Sequence, residues 1–139
     1  MPEAVIVAAA RTPIGRAFKG SFKDERADNM AAFIVDTVLN KVPQLDRQSI
    51  DDLILGCGLP GGEQGFNMGR QIALRAGMPV EVAGMTIDRQ CSSGLMAIAT
   101  AAKQIIVDNM DICVGGGVES ISLVQTPEMR VAPDPELLK

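Results

Sequence analysis

The sequence DRQCSSG at 88–94 places a cysteine among polar residues, after a short apolar segment and before a long one. This pattern predicts that Cys91 lies at a strand-to-helix turn, at or just before the amino end of the helix. Free N–H groups and the helix dipole stabilise a thiolate there, and they can bind the oxyanion formed when a thioester is attacked. A small, inert core residue is the competing interpretation, and the spacing alone leaves both open.

The remaining candidates for chemistry are interpreted as structural. Cys57 and Cys113 lie at the end of, or inside, apolar strands, where burial raises a thiol pKa and suppresses reactivity. The three glycines at 115–117 lack the lysine and hydroxyl of a phosphate-binding loop, so we interpret them as a strand end that a neighbour approaches closely. With no histidine and no zinc spacing among the cysteines, no metal site is expected.

Apolar runs alternate with helical periodicity along the chain. The runs predict strands at 4–10, 53–55, 82–87 and 111–114. Helices are predicted from Asp28 up to Pro43, from Asn67 up to Gly77, and from Ser92 to Val107. Strands alternating with helices indicate an α/β fold with a mainly parallel or mixed sheet and helices on both of its faces.

Two of these elements are unusually apolar. The run from Ala4 to Ala10 shows no alternation, which predicts a central parallel strand covered on both faces. The helix from Ser92 to Val107 carries Lys103 as its one charged residue, which predicts burial nearly all round. Four strands and three helices cannot cover every side of such a helix, so a further layer of structure is expected.

Composition and charge limit the classes of protein and of partner that fit this chain. The chain has 139 residues, 47% of them hydrophobic and 22% charged, as expected for one globular domain. A net charge of -4 without a basic stripe argues against nucleic acid and anionic membranes as partners. The apolar runs are too short to span a membrane, no leader peptide is evident, and the cysteine usage fits a reducing compartment. A cytoplasmic location is therefore expected.

The sequence DRQCSSGL at 88–95 resembles the active-site signature of thiolases. The segments RTPIG at 11–15, GSFK at 20–23 and GGVES at 116–120 resemble thiolase segments in the same order, and the similarity extends from Ala4 to Ser122. RQCSSG is more similar to the 3-ketoacyl-CoA thiolases of fatty-acid breakdown than to biosynthetic acetoacetyl-CoA thiolases. Asp88 stands where the family usually has asparagine, which adds a negative charge near Cys91.

The resemblance implies an acyl-CoA acyltransferase with Cys91 as its catalytic nucleophile. A 3-ketoacyl-CoA would acylate this cysteine with release of acetyl-CoA, and coenzyme A would then remove the shortened acyl group; the reverse reaction is a Claisen condensation. The backbone N–H of Cys91 would contribute to an oxyanion hole. The resemblance further implies coenzyme A as a substrate rather than a bound cofactor, and a homodimer or homotetramer.

Domain organisation follows from the same resemblance. Residues 1–118 would form the first half of the five-layered thiolase fold without its final strand, and residues 119–139 would begin an inserted loop domain. The activating histidine, a second cysteine and the other oxyanion donors belong to the family's second half, so the chain alone is expected to be truncated and inactive. A ketoacyl synthase and a non-catalytic domain that pairs with another chain are the alternatives.

Overall fold

The computed structural model describes residues 3–130 and 132–138, and it contains a parallel three-stranded sheet with helices on both faces. The strands are β1 (Asp52–Gly56), β2 (Ala83–Ile87) and β3 (Cys113–Gly117), in the order β2–β1–β3. The helices are α1 (Ala27–Asn40), α2 (Met68–Arg75), α3 (Ser93–Val107) and the single turn α4 (Ile121–Val124). This architecture confirms the predicted α/β fold class.

Strand β1 occupies the centre of the sheet, and all five of its residues are buried. It runs parallel to both neighbours, and Gly56 lies opposite Ile87 of β2 and Gly117 of β3. The three strands therefore end at the same level. The loops that follow them meet at what we call the carboxyl edge of the sheet.

The prediction of a central strand at 4–10 is wrong for this structure. These residues adopt no regular structure, and Val5, Ile6 and Val7 are 70%, 81% and 74% exposed. A parallel strand needs a hydrogen-bonded neighbour and cover on both faces. The central position is filled by β1, which pairs with β2 and β3 on its two sides. The apolar run instead passes the end of α1, where Lys41 Nζ donates to the carbonyl of Ala9 at 2.6 Å.

The helices form one layer on each side of the sheet. Leu53 and Leu55 of β1 point toward α1 and α2 and belong to the larger apolar core. Ile54 points the opposite way and packs with Ala97 and Ala101 of α3 in a smaller cluster. Because side chains alternate between the faces of a strand, this three-residue run joins both cores.

The buried face of helix α1 differs from the face on which its large apolar residues lie. It begins at Ala27 rather than at Asp28, and it ends before Pro43 as expected. Phe33 is 65% exposed, because the small side chains on another face allow α1 to approach α2 closely. The buried apolar residues of α1 are Ala27, Ala31, Ala32, Val35 and Leu39.

Helix α2 begins as predicted. The side-chain oxygen of Asn67 accepts a hydrogen bond from the Arg70 N–H at 3.2 Å, which caps the first turn. Gly69 lets the helix lie directly on β2, since an added Cβ would stand 2.2 Å from the carbonyl oxygen of Met85. The cap and this glycine together fix the helix on the sheet.

Helix α3 packs against the sheet along one face only, so the prediction of burial nearly all round is wrong for the described residues. The buried residues of α3 are Ser93, Ala97, Ala101 and Gln104. On its outer side Leu95 and Val107 are 73% and 69% exposed. No other helix of the described residues packs extensively against α3, so its outer apolar side faces solvent.

The tail from 119 onward has more regular structure than its lack of periodicity predicts. It contains α4 and two short 3₁₀ turns at Pro127–Met129 and Pro135–Leu138. Each of these turns starts with a proline, whose fixed φ suits the first position of a helical turn. Across the described residues, no helix combines the length and the apolar character needed to cross a membrane.

Candidate active site

The turn that carries Cys91 follows β2 at the carboxyl edge, and Cys91 is exposed there. It lies two residues before the first residue of α3, which confirms its predicted place at a strand-to-helix turn. Among the described residues, Cys91 belongs to neither apolar core. A thiol in this position is open to an electrophile that approaches the sheet edge.

Hydrogen bonds within the turn hold its backbone in one conformation. Asp88 Oδ1 accepts from the Gln90 N–H at 2.8 Å. The hydroxyl of Ser93 accepts from the Arg89 N–H at 2.8 Å and donates to the Gln90 carbonyl at 2.6 Å. Gln90 has a φ of 49°, a conformation that non-glycine residues rarely adopt without such support. The turn therefore presents Cys91 on a fixed backbone.

Ser93 is a residue whose role the sequence did not predict. It is 3% exposed and is the first residue of α3, and the two hydrogen bonds of its hydroxyl hold the backbone of the Cys91 turn. Ser92, at the N-cap position, makes no side-chain capping bond. A serine in a polar motif can cap a helix or hydrogen-bond to the backbone of a nearby turn. Residue type alone therefore could not tell which role Ser92 and Ser93 each have.

The amino end of α3 sits unusually close to the ends of β1 and β3. A Cβ added to Gly56 would stand 2.2 Å from the backbone carbon of Ser93, and one added to Gly117 would stand 2.9 Å from the Cα of Gly94. Any larger residue at these positions would push the helix start away from the sheet. The predicted close approach is confirmed for Gly117 and for Gly115, whose added Cβ would stand 2.9 Å from the Cα of Ile98, whereas Gly116 has nothing within 4 Å of its Cβ position.

The two other cysteines are chemically unlike Cys91. Burial, reinforced by the nearby charge of Glu119, raises the pKa of the Cys57 thiol to about 11. Burial also raises the pKa of Cys113 to about 11, with Asp51 and Asp52 adding to the effect. Both thiols therefore stay protonated at neutral pH. The raised pKa of both thiols agrees with their place in apolar strands, and their low reactivity stays a prediction; Cys113 is half-buried rather than fully enclosed.

A group of polar side chains under the loops was not foreseen. Glu119, which follows β3, accepts from the Gly58 N–H at 2.7 Å, and its other oxygen accepts from the side-chain amide of Gln64. Gln64 is completely buried, and its carbonyl oxygen accepts from the N–H of Ser120. The sequence signal was a charged residue two positions after a glycine-rich strand, but nothing in the chain indicated its partner 55 positions earlier.

The described residues contain no group of three or more side chains placed to hold a metal ion. The Cys91 turn contains the carboxylate of Asp88 and the guanidinium of Arg89, and the chain has no histidine that could act as a base. The thiol of Cys91 can attack a carbonyl carbon, and the helix amino end can stabilise the resulting negative charge. The chain therefore offers no imidazole base for this attack.

Comparison with known proteins places this turn in a family. The family described as "Thiolase, N-terminal domain" matches residues 4–136, nearly the whole chain. The chain belongs to the thiolase family. The segments at 88–94 and 116–120, which resemble thiolase segments, both lie at the carboxyl edge of the sheet, as does the loop after β1.

Individual thiolases are similar over the same length. A 3-ketoacyl-CoA thiolase of Bacillus subtilis (strain 168) is 45% identical over 137 residues, covering 99% of this chain and 34% of that protein. A 3-oxoadipyl-CoA/3-oxo-5,6-dehydrosuberyl-CoA thiolase of Escherichia coli (strain K12) is 45% identical over 122 residues, covering 88% of this chain and 30% of that protein. The chain thus spans about a third of the length of these thiolases.

Proposed function

We propose that the protein acts as a thiolase, an acyl-CoA acyltransferase with Cys91 as its nucleophile. The observation that supports this best is the exposed cysteine at the amino end of α3, on a braced turn within a chain that matches the thiolase family. Relatives named 3-ketoacyl-CoA thiolase suggest 3-ketoacyl-CoA as the substrate class. Coenzyme A is then a substrate, and no resident cofactor or metal is proposed.

The chemistry proceeds in two transfers. The Cys91 thiolate attacks the 3-keto carbon, forming a carbon–sulfur bond, and the bond between C2 and C3 breaks. The released two-carbon unit takes up a proton and leaves as acetyl-CoA. The thiol of a second coenzyme A then attacks the acyl-cysteine, and its proton returns to the enzyme as the Cys91 thiolate is regenerated. The reverse sequence is a Claisen condensation.

This chain supplies part of the machinery. The braced turn sets the direction of attack, and the N–H groups at the start of α3 stabilise the developing oxyanion. The general base and acid, a histidine and a second cysteine by family resemblance, are proposed to lie outside these 139 residues. The tail at 119–139 is proposed to begin an inserted loop domain, and the whole enzyme to be a cytoplasmic homodimer or homotetramer.

An assay of acetoacetyl-CoA cleavage with free coenzyme A tests the proposal. We expect turnover from a version extended to the length of the relatives, and loss of that turnover by several orders of magnitude on Cys91→Ala. The 139-residue chain should be inactive, since residues that act as a unit lose nearly all their effect when one is absent.

Two outcomes would contradict the proposal. Comparable rates from the chain and the extended version would show that the catalytic base lies within residues 1–139. An extended version that folds but has no turnover would favour the alternative of a non-catalytic domain that pairs with another chain, for which the exposed apolar side of α3 is the supporting observation.

A further inference from the structure

Glu119 joins the loop after β3 to the loop after β1. One carboxylate oxygen accepts from the Gly58 N–H at 2.7 Å, and the other accepts from the side-chain amide of Gln64. Hydrogen bonds to a charged acceptor are stronger than those between neutral groups. The residue itself is exposed at the carboxyl edge, so its charge remains hydrated while these donors orient it.

Gln64 holds this carboxylate from its buried side. Its amide nitrogen donates to Glu119 and to the carbonyl of Leu59 at 3.0 Å, and its oxygen accepts from the Ser120 N–H. A fully buried amide with all of these partners has no alternative orientation of equal energy, because a flip would set donor against donor. The thiol of Cys57, protonated because its pKa is raised to about 11, donates to the same carboxylate at 3.8 Å.

Gly58 connects the hydrogen bonds of Glu119 to the Cys91 turn. A Cβ added to Gly58 would stand 2.9 Å from the carbonyl oxygen of Gln90 and 3.1 Å from its carbonyl carbon, so the two backbones are in contact. The same carbonyl accepts from the N–H of Ser93 at 3.0 Å. Gln90, with its positive φ, is thus held between α3 and the loop that Glu119 fixes.

We infer that Glu119 is a positioning residue, which acts through Gly58 and Gln90 to hold Cys91 at the amino end of α3. The inference extends the proposed function, since it concerns the same nucleophile. The family comparison assigns no role to Glu119 or Gln64. The geometry requires no contact between Glu119 and substrate.

The test compares Glu119→Gln with Glu81→Gln in the full-length protein. Both changes remove one charge from an exposed glutamate, but Glu81 precedes β2 at the opposite edge of the sheet. In Glu119→Gln the new amide group faces a donor of Gly58 or of Gln64, so one bond is lost. We expect alkylation of Cys91 by iodoacetamide to slow about two- to fivefold, because the turn no longer holds the thiol in its exposed position at the amino end of α3, with Glu81→Gln unchanged.

Turnover gives a second readout. Glu119→Gln should lower kcat for acetoacetyl-CoA cleavage by roughly tenfold with KM within about twofold, because the nucleophile is misplaced while substrate contacts remain. Absence of turnover in the wild-type protein would refute the proposed function, whereas the alkylation rate tests Glu119 independently of it. An alkylation rate in Glu119→Gln equal to that of the wild type, or an equal slowing in Glu81→Gln, would overturn the inference.

Glu119→Asp serves as the rescue experiment and covers the case in which Glu119→Gln does not fold. It keeps the carboxylate that accepts from the Gly58 N–H and from the Gln64 amide, and it shortens the side chain by one methylene. We expect its Cys91 alkylation rate to lie closer to that of the wild type than to that of Glu119→Gln. A folded Glu119→Asp variant that is as slow as Glu119→Gln would refute the route through the carboxylate.

The route through Gly58 is tested by a double-mutant cycle. Gly58→Ala presses on Gln90 directly and should slow alkylation of Cys91 by itself. If Glu119 acts through Gly58, the double variant with Glu119→Gln should be little slower than the slower single variant. Independent, multiplicative effects would show that Glu119 does not act on Cys91 through this contact.

Discussion

The three cysteines illustrate how position decides the chemistry of one residue type. Cys91 stands exposed in a polar turn just before a helix, where an electrophile can reach its thiol. Cys57 is 1% exposed and lies beside a carboxylate, which opposes a second negative charge. Their different surroundings were predicted from the sequence, because apolar runs locate buried strands and a polar turn locates a strand end. The neighbouring Glu119 was not, because its partners are distant in the chain.

Selective alkylation follows at this scale. At pH 8 a thiol of pKa 11 is ionised in about one molecule in a thousand, so Cys57 and Cys113 should react with iodoacetamide far more slowly than Cys91. Their labelling should rise about tenfold per pH unit toward pH 11, since only the thiolate reacts. Peptide mapping after brief treatment measures all three, because the tryptic peptide 90–103 contains Cys91 alone. Faster labelling of Cys57 or Cys113 at pH 8 would contradict the assignment.

At the level of the elements, strands and helices in the middle of the chain were predicted well. The helix at 93–107, the strand at 83–87 and the cap at Asn67 have strong local signals in periodicity and capping chemistry. The failures were non-local. The run at 4–10 has the composition of a central strand. Which segment occupies the centre depends on how all the strands pair, and β1 occupies it. Likewise, alanines form much of the buried face of α1, and the large apolar residue Phe33 is exposed. Close helix packing favours small side chains on the buried face.

The contact between α3 and β3 gives a paired test of close packing. Gly115→Ala would place its Cβ 2.9 Å from the Cα of Ile98, whereas Gly116, the next residue of the strand, has nothing within 4 Å of its Cβ position. We expect Gly115→Ala to lower the free energy of unfolding by about 1–3 kcal/mol through overpacking. Gly116→Ala should have a neutral or slightly stabilising effect, since it only restricts the unfolded chain. Urea unfolding of both variants measures the difference.

An equal effect of the two substitutions would contradict the packing argument. In that case a general cost of alanine in β3 would explain the result, and the separation between α3 and the sheet would not be set by Gly115. The comparison is sharp because both variants add the same methyl group to the same strand. Side chains at successive positions point to opposite faces, so only one of them meets α3.

For the molecule as a whole, the outer side of α3 is the feature that the described fold does not explain. Leu95, Ile98, Ile106 and Val107 are all more than 40% exposed, and the run at 4–10 adds further exposed apolar residues. Several exposed apolar side chains on one helix mark a site of contact with other structure. Since the chain spans about a third of the length of its relatives, we expect residues outside it to cover this helix.

Cysteine labelling at Leu95 tests this cover. Leu95→Cys in a Cys91→Ala background should react rapidly with iodoacetamide in the 139-residue chain, because the position is 73% exposed. In a version extended to the length of the relatives, we expect the rate to fall about tenfold or more as the helix is enclosed. Glu81→Cys in the same background is the control, since Glu81 is exposed and lies before β2, away from α3. Equal rates at position 95 in the two proteins would show that no added layer covers α3, and its apolar side would then need a partner from another chain.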